Sequence, residues 1–190
     1  AYNNSFQKYN IEDGKFETEE KIYKNQQEDI EKKGVTLYEN FYVEKALLNG
    51  TTLRIFKNRT KVDKVCLMKG KLPEKTGEIA IDRMYADNNK LSVGDSLQSG
   101  KRKWKITGLV ALSDYSALFQ NNNDTMFDAV KFGAAVVTEE EFSSFNQSQL
   151  VYNYAWTYTH KPKTEAQEKK KSEDFMEELS KDCLLYTSDA

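Results

Sequence analysis

The sequence predicts an α+β fold in two lobes, an α/β lobe built from both chain ends and a β-rich lobe inserted between them. Three observations carry this. Each end offers a strand and an amphipathic helix able to cover one sheet. The middle is a series of short β-forming segments separated by glycine turns. The chain's 190 residues suffice for one domain or two small lobes, and 12% aromatic residues offset a modest 38% hydrophobic content because each buried ring removes a large area from water. The expected boundaries are 1–69 plus 150–183 for the outer lobe and 70–149 for the inserted one.

Residues 18–33 read as a helix, with Thr18 as N-cap, Glu19 and Glu20 in the first turn, Lys32 and Lys33 in the last, and Gly34 beyond. Its apolar stripe is narrow: Ile22, Tyr23 and Ile30. Residues 35–48 and 51–57 are β-formers flanking Asn49-Gly50, the signal of a two-residue hairpin. A break at 69–73 precedes strands expected at 78–82, 95–98 and 103–110. In the last of these Trp104 and Ile106 alternate with Lys103, Lys105 and Thr107, the period of a half-buried antiparallel strand. Residues 113–132 lack a clean period and read as an ordered loop with a short helical piece. A buried strand at 133–137, a short helix at 139–145, a strand at 151–160 and a charged helix at 164–181 complete the chain. The apolar side of that helix is Ala166, Phe175, Met176 and Leu179.

With 28 basic and 30 acidic residues the net charge is −2, so no overall field draws the chain onto phosphate backbones or anionic lipid, and nucleic acid is not an expected partner. The longest apolar runs, such as 106–112, fall far short of the roughly 20 residues a membrane-spanning helix needs. Nothing at the amino end reads as an export leader, so export cannot be read from it, and its absence fits a fragment equally well. Cys66 and Cys183 are too few for a disulfide framework or a CxxC site.

Candidate chemistry is sparse. His160 is the one histidine and stands at a strand end, where a surface role is the simple reading. One histidine with two scattered cysteines cannot supply a usual zinc set. Asn121, Asn123, Asp124 and Asp128 place oxygen ligands in one loop but lack the EF-hand glycine and terminal glutamate, so a plain polar loop is preferred to calcium. The acidic runs Glu17, Glu19, Glu20 and Glu139, Glu140, Glu141 fit charge at helix N-termini better than paired catalytic carboxylates. Lys169, Lys170 and Lys171 read as a solvated helix face. The alternation Tyr152, Tyr154, Trp156, Tyr158 puts four aromatic residues on one strand face. Such a face stacks a sugar or peptide when open, or forms core when helices cover it; with two amphipathic helices in the same lobe, core is favoured.

Four segments are specific: Gly70-Lys71-Leu72-Pro73, Gly77-Glu78-Ile79-Ala80-Ile81-Asp82, Leu91-Ser92-Val93-Gly94-Asp95, and Trp104-Lys105-Ile106-Thr107-Gly108-Leu109-Val110. Together they resemble the FtsX-like permease family, in the MacB-type extracytoplasmic core domain between the first and second transmembrane helices. Residues 114–119 through Phe132-Gly133 are similar to Gram-positive members, and the likeness is strongest over 70–145. It implies a porter-like α/β lobe from both chain ends, a location at the cell membrane on the extracytoplasmic side, a permease dimer, and cytoplasmic ATPase subunits. It also implies coupling of ATP hydrolysis to a lipoprotein, peptide or cell-wall partner. It brings no catalytic residues, no cofactor and no metal, and the chain has no Walker motif. Residues 184–190 do not resemble the family and read as a non-native tail.

The leading expectation is therefore a non-enzymatic coupling domain of a permease. The alternatives are a free-standing extracellular carbohydrate- or peptide-binding module, resting on the aromatic strand, and a hydrolase using His160. If the coupling reading holds, Tyr115, Phe119 and Phe127 on the 114–128 loop are the expected partner contacts; a loop that only closes the inserted lobe is the equal alternative.

Overall fold

The computed structural model describes residues 8–115 and 130–181, and the backbone of 187–188. In chain order the elements begin β1 (Gly14–Thr18), α1 (Lys24–Glu31), β2 (Val35–Glu39), β3 (Tyr42–Ala46), β4 (Thr52–Lys57), β5 (Cys66–Gly70), β6 (Glu78–Asp82) and α2 (Arg83–Asn88). They continue with β7 (Ser96–Ser99), β8 (Arg102–Ala111), β9 (Phe132–Val137), α3 (Glu139–Ser143), β10 (Tyr152–Tyr158), α4 (Glu165–Lys181) and β11 (Thr187–Ser188). The fold is α+β, with two separate sheets. The chain divides into two compact units, one holding residues from 12 to 41 and from 151 onward, the other holding 42–150 and the residues up to 11.

The unit built from both ends carries an antiparallel sheet in the order β11-β1-β10-β2. Phe16 lies opposite Tyr154, Trp156 opposite Leu37 and Tyr158 opposite Val35, so these side chains share one face. That face packs with Ile22, with Ile30 of α1 and with Phe175 and Leu179 of α4 into a single apolar cluster. Helix α1 is too short to persist by propensity alone, and burial of Ile30 supplies what propensity lacks.

The expected helix at 18–33 divides here. Residues 14–18 bury every second side chain, the pattern of a strand, and pair along the whole of their length with β10. Thr18 is therefore the end of β1 and not a helix cap; its hydroxyl donates to the Glu20 carbonyl. The cap position belongs to Tyr23, whose backbone N–H donates to the Gln26 side chain at 3.0 Å. At the other end β11 pairs with β1, a main-chain contact that places little demand on side-chain identity.

The other unit carries a seven-stranded mixed sheet in the order β3-β4-β9-β6-β8-β5, with β7 also paired to β8. Strand β8 is ten residues long, and β7 lies beside its first half and β5 beside its second, both on the edge away from β6. Strands β6 and β9 are buried on both faces, as their near-continuous apolar runs require. Two short helices are capped by side chains: Asp82 accepts from the Tyr85 N–H at the start of α2, and Thr138 from the Glu141 N–H at the start of α3.

The Asn49-Gly50 hairpin forms, with a three-residue loop in place of the expected two. Leu47 N–H donates to the Thr51 carbonyl and Gly50 N–H to the Leu47 carbonyl, and Gly50 takes a left-handed φ of 85°. Asn49 Oδ1 accepts from both the backbone and the hydroxyl of Thr51. The segment 35–48 is not one strand: β2 pairs in the end-built sheet and β3 in the other, with Asn40 and Phe41 between them. The hairpin, placed by the sequence in the outer lobe, thus belongs with the glycine-bounded strands, because β4 pairs in parallel with β9 over six residues. The division by contacts falls at 41/42, where 69/70 was expected.

Candidate functional site

The residues of the four glycine-bounded segments meet in and around β5, β6 and β8. Gly70 and Gly108 lie opposite each other. A Cβ on Gly108 would come within 2.3 Å of the Lys71 carbonyl oxygen, and one on Gly70 within 2.3 Å of the Thr107 carbonyl oxygen, so only glycine allows the two backbones this approach. The close contact is tied by Lys71 N–H to the Thr107 carbonyl at 2.9 Å and by the Thr107 hydroxyl to the Lys71 carbonyl at 3.0 Å. At the same place the pairing of β6 with β8 slips by one residue, leaving Thr107 as a bulge.

The acidic residues of the segments are equally structural. Glu78 accepts the backbone N–H groups of Glu74 and Lys75, closing the turn after Pro73, and the Glu74 amide foremost holds its carboxyl below the usual range. Asp95 accepts from the Ser92 N–H at 2.8 Å, and the Gly94 N–H donates to Ile106 on β8. Glu141 lies in the first turn of α3, as the sequence predicts, and is also buried. It accepts from the Trp104 indole at 2.8 Å, from Arg102 at 3.0 Å and from the Gly77 N–H at 3.2 Å, and so ties α3 to two of the segments. Glu139 and Glu140 of the same run are exposed.

Two arginines hold the residues leading out of β8. Arg54 on β4 donates to Glu44 at 3.0 and 2.7 Å and to the Tyr115 hydroxyl at 2.6 Å, with its guanidinium over the rings of Tyr42, Tyr115 and Phe132. Arg59 forms a two-bonded pair with Asp114 at 2.5 and 2.8 Å, both side chains 3% exposed, and stacks 4.0 Å above Phe56. Burial works against each cation, but the facing Asp114 carboxylate and, for Arg54, the Tyr115 and Tyr42 hydroxyls hold both arginines above their ordinary values. Tyr115, expected at a partner contact, is 8% exposed and packs against Phe56 and Phe132. Its side chain serves the interior of its unit. Phe119, Phe127 and the oxygen-bearing residues 121–128 lie outside the described residues, as does Cys183.

The aromatic strand is core. Tyr154, Trp156 and Tyr158 are buried, with Trp156 4.8 Å from Phe175 and Phe16 stacked on Tyr154 at 5.5 Å. The Tyr154 hydroxyl accepts from the Ile22 N–H at 2.9 Å, and burial pushes its pKa up to about 12. These rings are therefore not open to stack a sugar or peptide. His160 is exposed and its carbonyl accepts from Lys171; among the described residues no side-chain partner for its imidazole is found. Arg54 and Arg59 were missed in the sequence because each pairs with residues 55 or more positions away through a contact no local pattern announces.

No helix among the described residues is long and apolar enough to cross a membrane. No family model matches the chain, and no curated protein does. Among solved structures, the periplasmic region of MacB from Actinobacillus actinomycetemcomitans is similar with a TM-score of 0.46 at 11% identity, over 88% of this chain and 83% of that one. The extracellular domain of the noncanonic ABC-type transporter YknZ from Gram-positive bacteria is similar with a TM-score of 0.44 at 12% identity, over 93% of this chain and 100% of that one.

Proposed function

We propose that this chain is the extracytoplasmic domain of an FtsX-like ABC transporter permease, carried outside the membrane between two transmembrane helices. Its role is mechanical and non-enzymatic: it passes movement driven by a cytoplasmic ATPase to a lipoprotein, peptide or cell-wall partner. The observation that carries this reading is the interlocking of the four segments through Gly70, Glu78, Asp95 and Gly108. Each of these residues meets a separate geometric demand, a close backbone approach or the capping of a turn, so the pattern marks one architecture and not a chance string of glycines. The two arginine clamps suit a body that transmits force as a unit, since they tie β4 and the residues just after it to those that follow β8.

The coding DNA on either side of this segment tests the proposal. The expected result is an apolar stretch of roughly 20 residues on each side and a neighbouring ATPase gene. A reading frame that closes on both sides without such stretches would refute it.

A further inference from the structure

Lys45 on β3 and Arg102 at the start of β8 stand over the same ring. Lys45 Nζ lies 5.3 Å and the Arg102 guanidinium carbon 4.6 Å from the centroid of Phe145. The ring is itself fixed, 3% exposed and edge-on to Trp104 and Phe142. An aromatic face attracts each cation, but the two cations repel each other. Arg102 has a counter-ion in Glu141 at 3.0 Å and further bonds to Ser144. Lys45 has only the neutral Gln149 side chain, at 2.7 Å. Among the described residues no carboxylate pairs with Lys45, and the adjacent Glu44 is taken by Arg54. Burial, and then the charge of Arg102, push Lys45 below its ordinary value, as expected of a cation short of negative partners.

We propose that Lys45 and Arg102, which both approach the Phe145 ring, form a binding site for a phosphate-type oxyanion. Lys45 retains two N–H donors and Arg102 its Nε–H, and both side chains are partly open to solvent. Phosphate suits the pair better than a carboxylate because it brings more acceptor oxygens, enough to take donors from both side chains at once. Gln149 and Phe145 keep Lys45 in place, so little ordering is needed on binding. This inference does not depend on the permease reading.

The test is a titration of backbone amide chemical shifts with inorganic phosphate, compared with chloride at equal ionic strength. Saturable shifts at Lys45, Arg102, Phe145 and Gln149 are expected, with a dissociation constant on the order of 1 mM. Lys45→Met is expected to weaken binding at least about tenfold, while Lys101→Met, at an exposed lysine nearby, leaves it unchanged. The melting temperature of Lys45→Met without phosphate should equal or exceed that of the parent, because a like-charge contact is gone; should that variant fail to fold, Lys45→Gln serves in the same titration. Vesicles of phosphatidylglycerol form a second arm: shifts with both probes place the site on a lipid phosphate, and shifts with inorganic phosphate alone place it on a soluble one. Linear, unsaturated shifts up to about 50 mM phosphate, or equal titration of Lys45→Met and parent, would overturn the site.

Discussion

At the scale of single residues, the least replaceable contacts are those between Arg59 and Asp114 and between Arg54 and its three rings. Removing one partner of a buried ion pair leaves an uncompensated charge, at a cost of about 3–5 kcal/mol. Asp114→Ala should therefore lower the unfolding free energy by about that amount, while Glu44→Ala, at an exposed partner of Arg54, costs under about 1 kcal/mol. Urea denaturation of the two variants measures the difference, and equal effects would show that Arg59 finds another partner. Tyr154 yields a pH prediction. Its hydroxyl titrates at about 12 in the folded chain against an ordinary 10.0, so the unfolded state releases this proton first as pH rises. Stability from this group is intact below about pH 10 and is lost as the pH climbs to about 12. Urea midpoints at pH 9 and 11.5 should separate in the parent and separate less in Tyr154→Phe. None of these pairings was legible in the sequence. Tyr115 shows the difficulty: an aromatic residue beside a polar loop looks the same in sequence whether it faces a partner or, as here, an arginine 61 positions away.

At the scale of elements, legibility followed periodicity. Strand β8 announced itself by the alternation around Trp104 and Ile106, and β9 by its apolar run, because both are read directly from which faces are buried. Strand β5 gave no such signal, since four of its five residues are exposed and carry no alternation. In β1 the sequence offered Thr18 followed by two glutamates, a good helix start, and pairing with β10 overrode it. The Gly70–Gly108 approach gives the sharpest prediction at this scale. Gly108→Ala places a methyl 2.3 Å from a carbonyl oxygen and should destabilise by about 1–3 kcal/mol, although alanine is elsewhere a better strand residue than glycine. Thr138→Ala, which removes the cap of α3, should cost about 1 kcal/mol. A neutral Gly108→Ala in thermal or urea unfolding would mean that the segments are not locked as described.

At the scale of the whole molecule, the sequence showed that both ends fold together around β10, because the aromatic strand and the two flanking helices need one another to be buried. It did not show where that unit stops. The Asn49-Gly50 hairpin is local and carries no information about which sheet its strands join; the parallel pairing of β4 with β9, over residues 52–57 and 132–137, decides it. The aromatic face was legible only as a choice between core and ligand platform, and packing of Phe175 and Leu179 decides that choice for the core. Trp156→Ala should accordingly cost about 3–5 kcal/mol through the cavity it leaves. On the proposed reading this domain stands outside the membrane in a larger permease. A single thiol at the exposed Leu48, introduced as Leu48→Cys in the full-length protein with every other cysteine, Cys66 and Cys183 included, replaced by serine, reports its side of the membrane most directly in its own cells. A membrane-impermeant maleimide added to intact cells is predicted to label it fully; labelling only after the membrane is permeabilised would contradict the account.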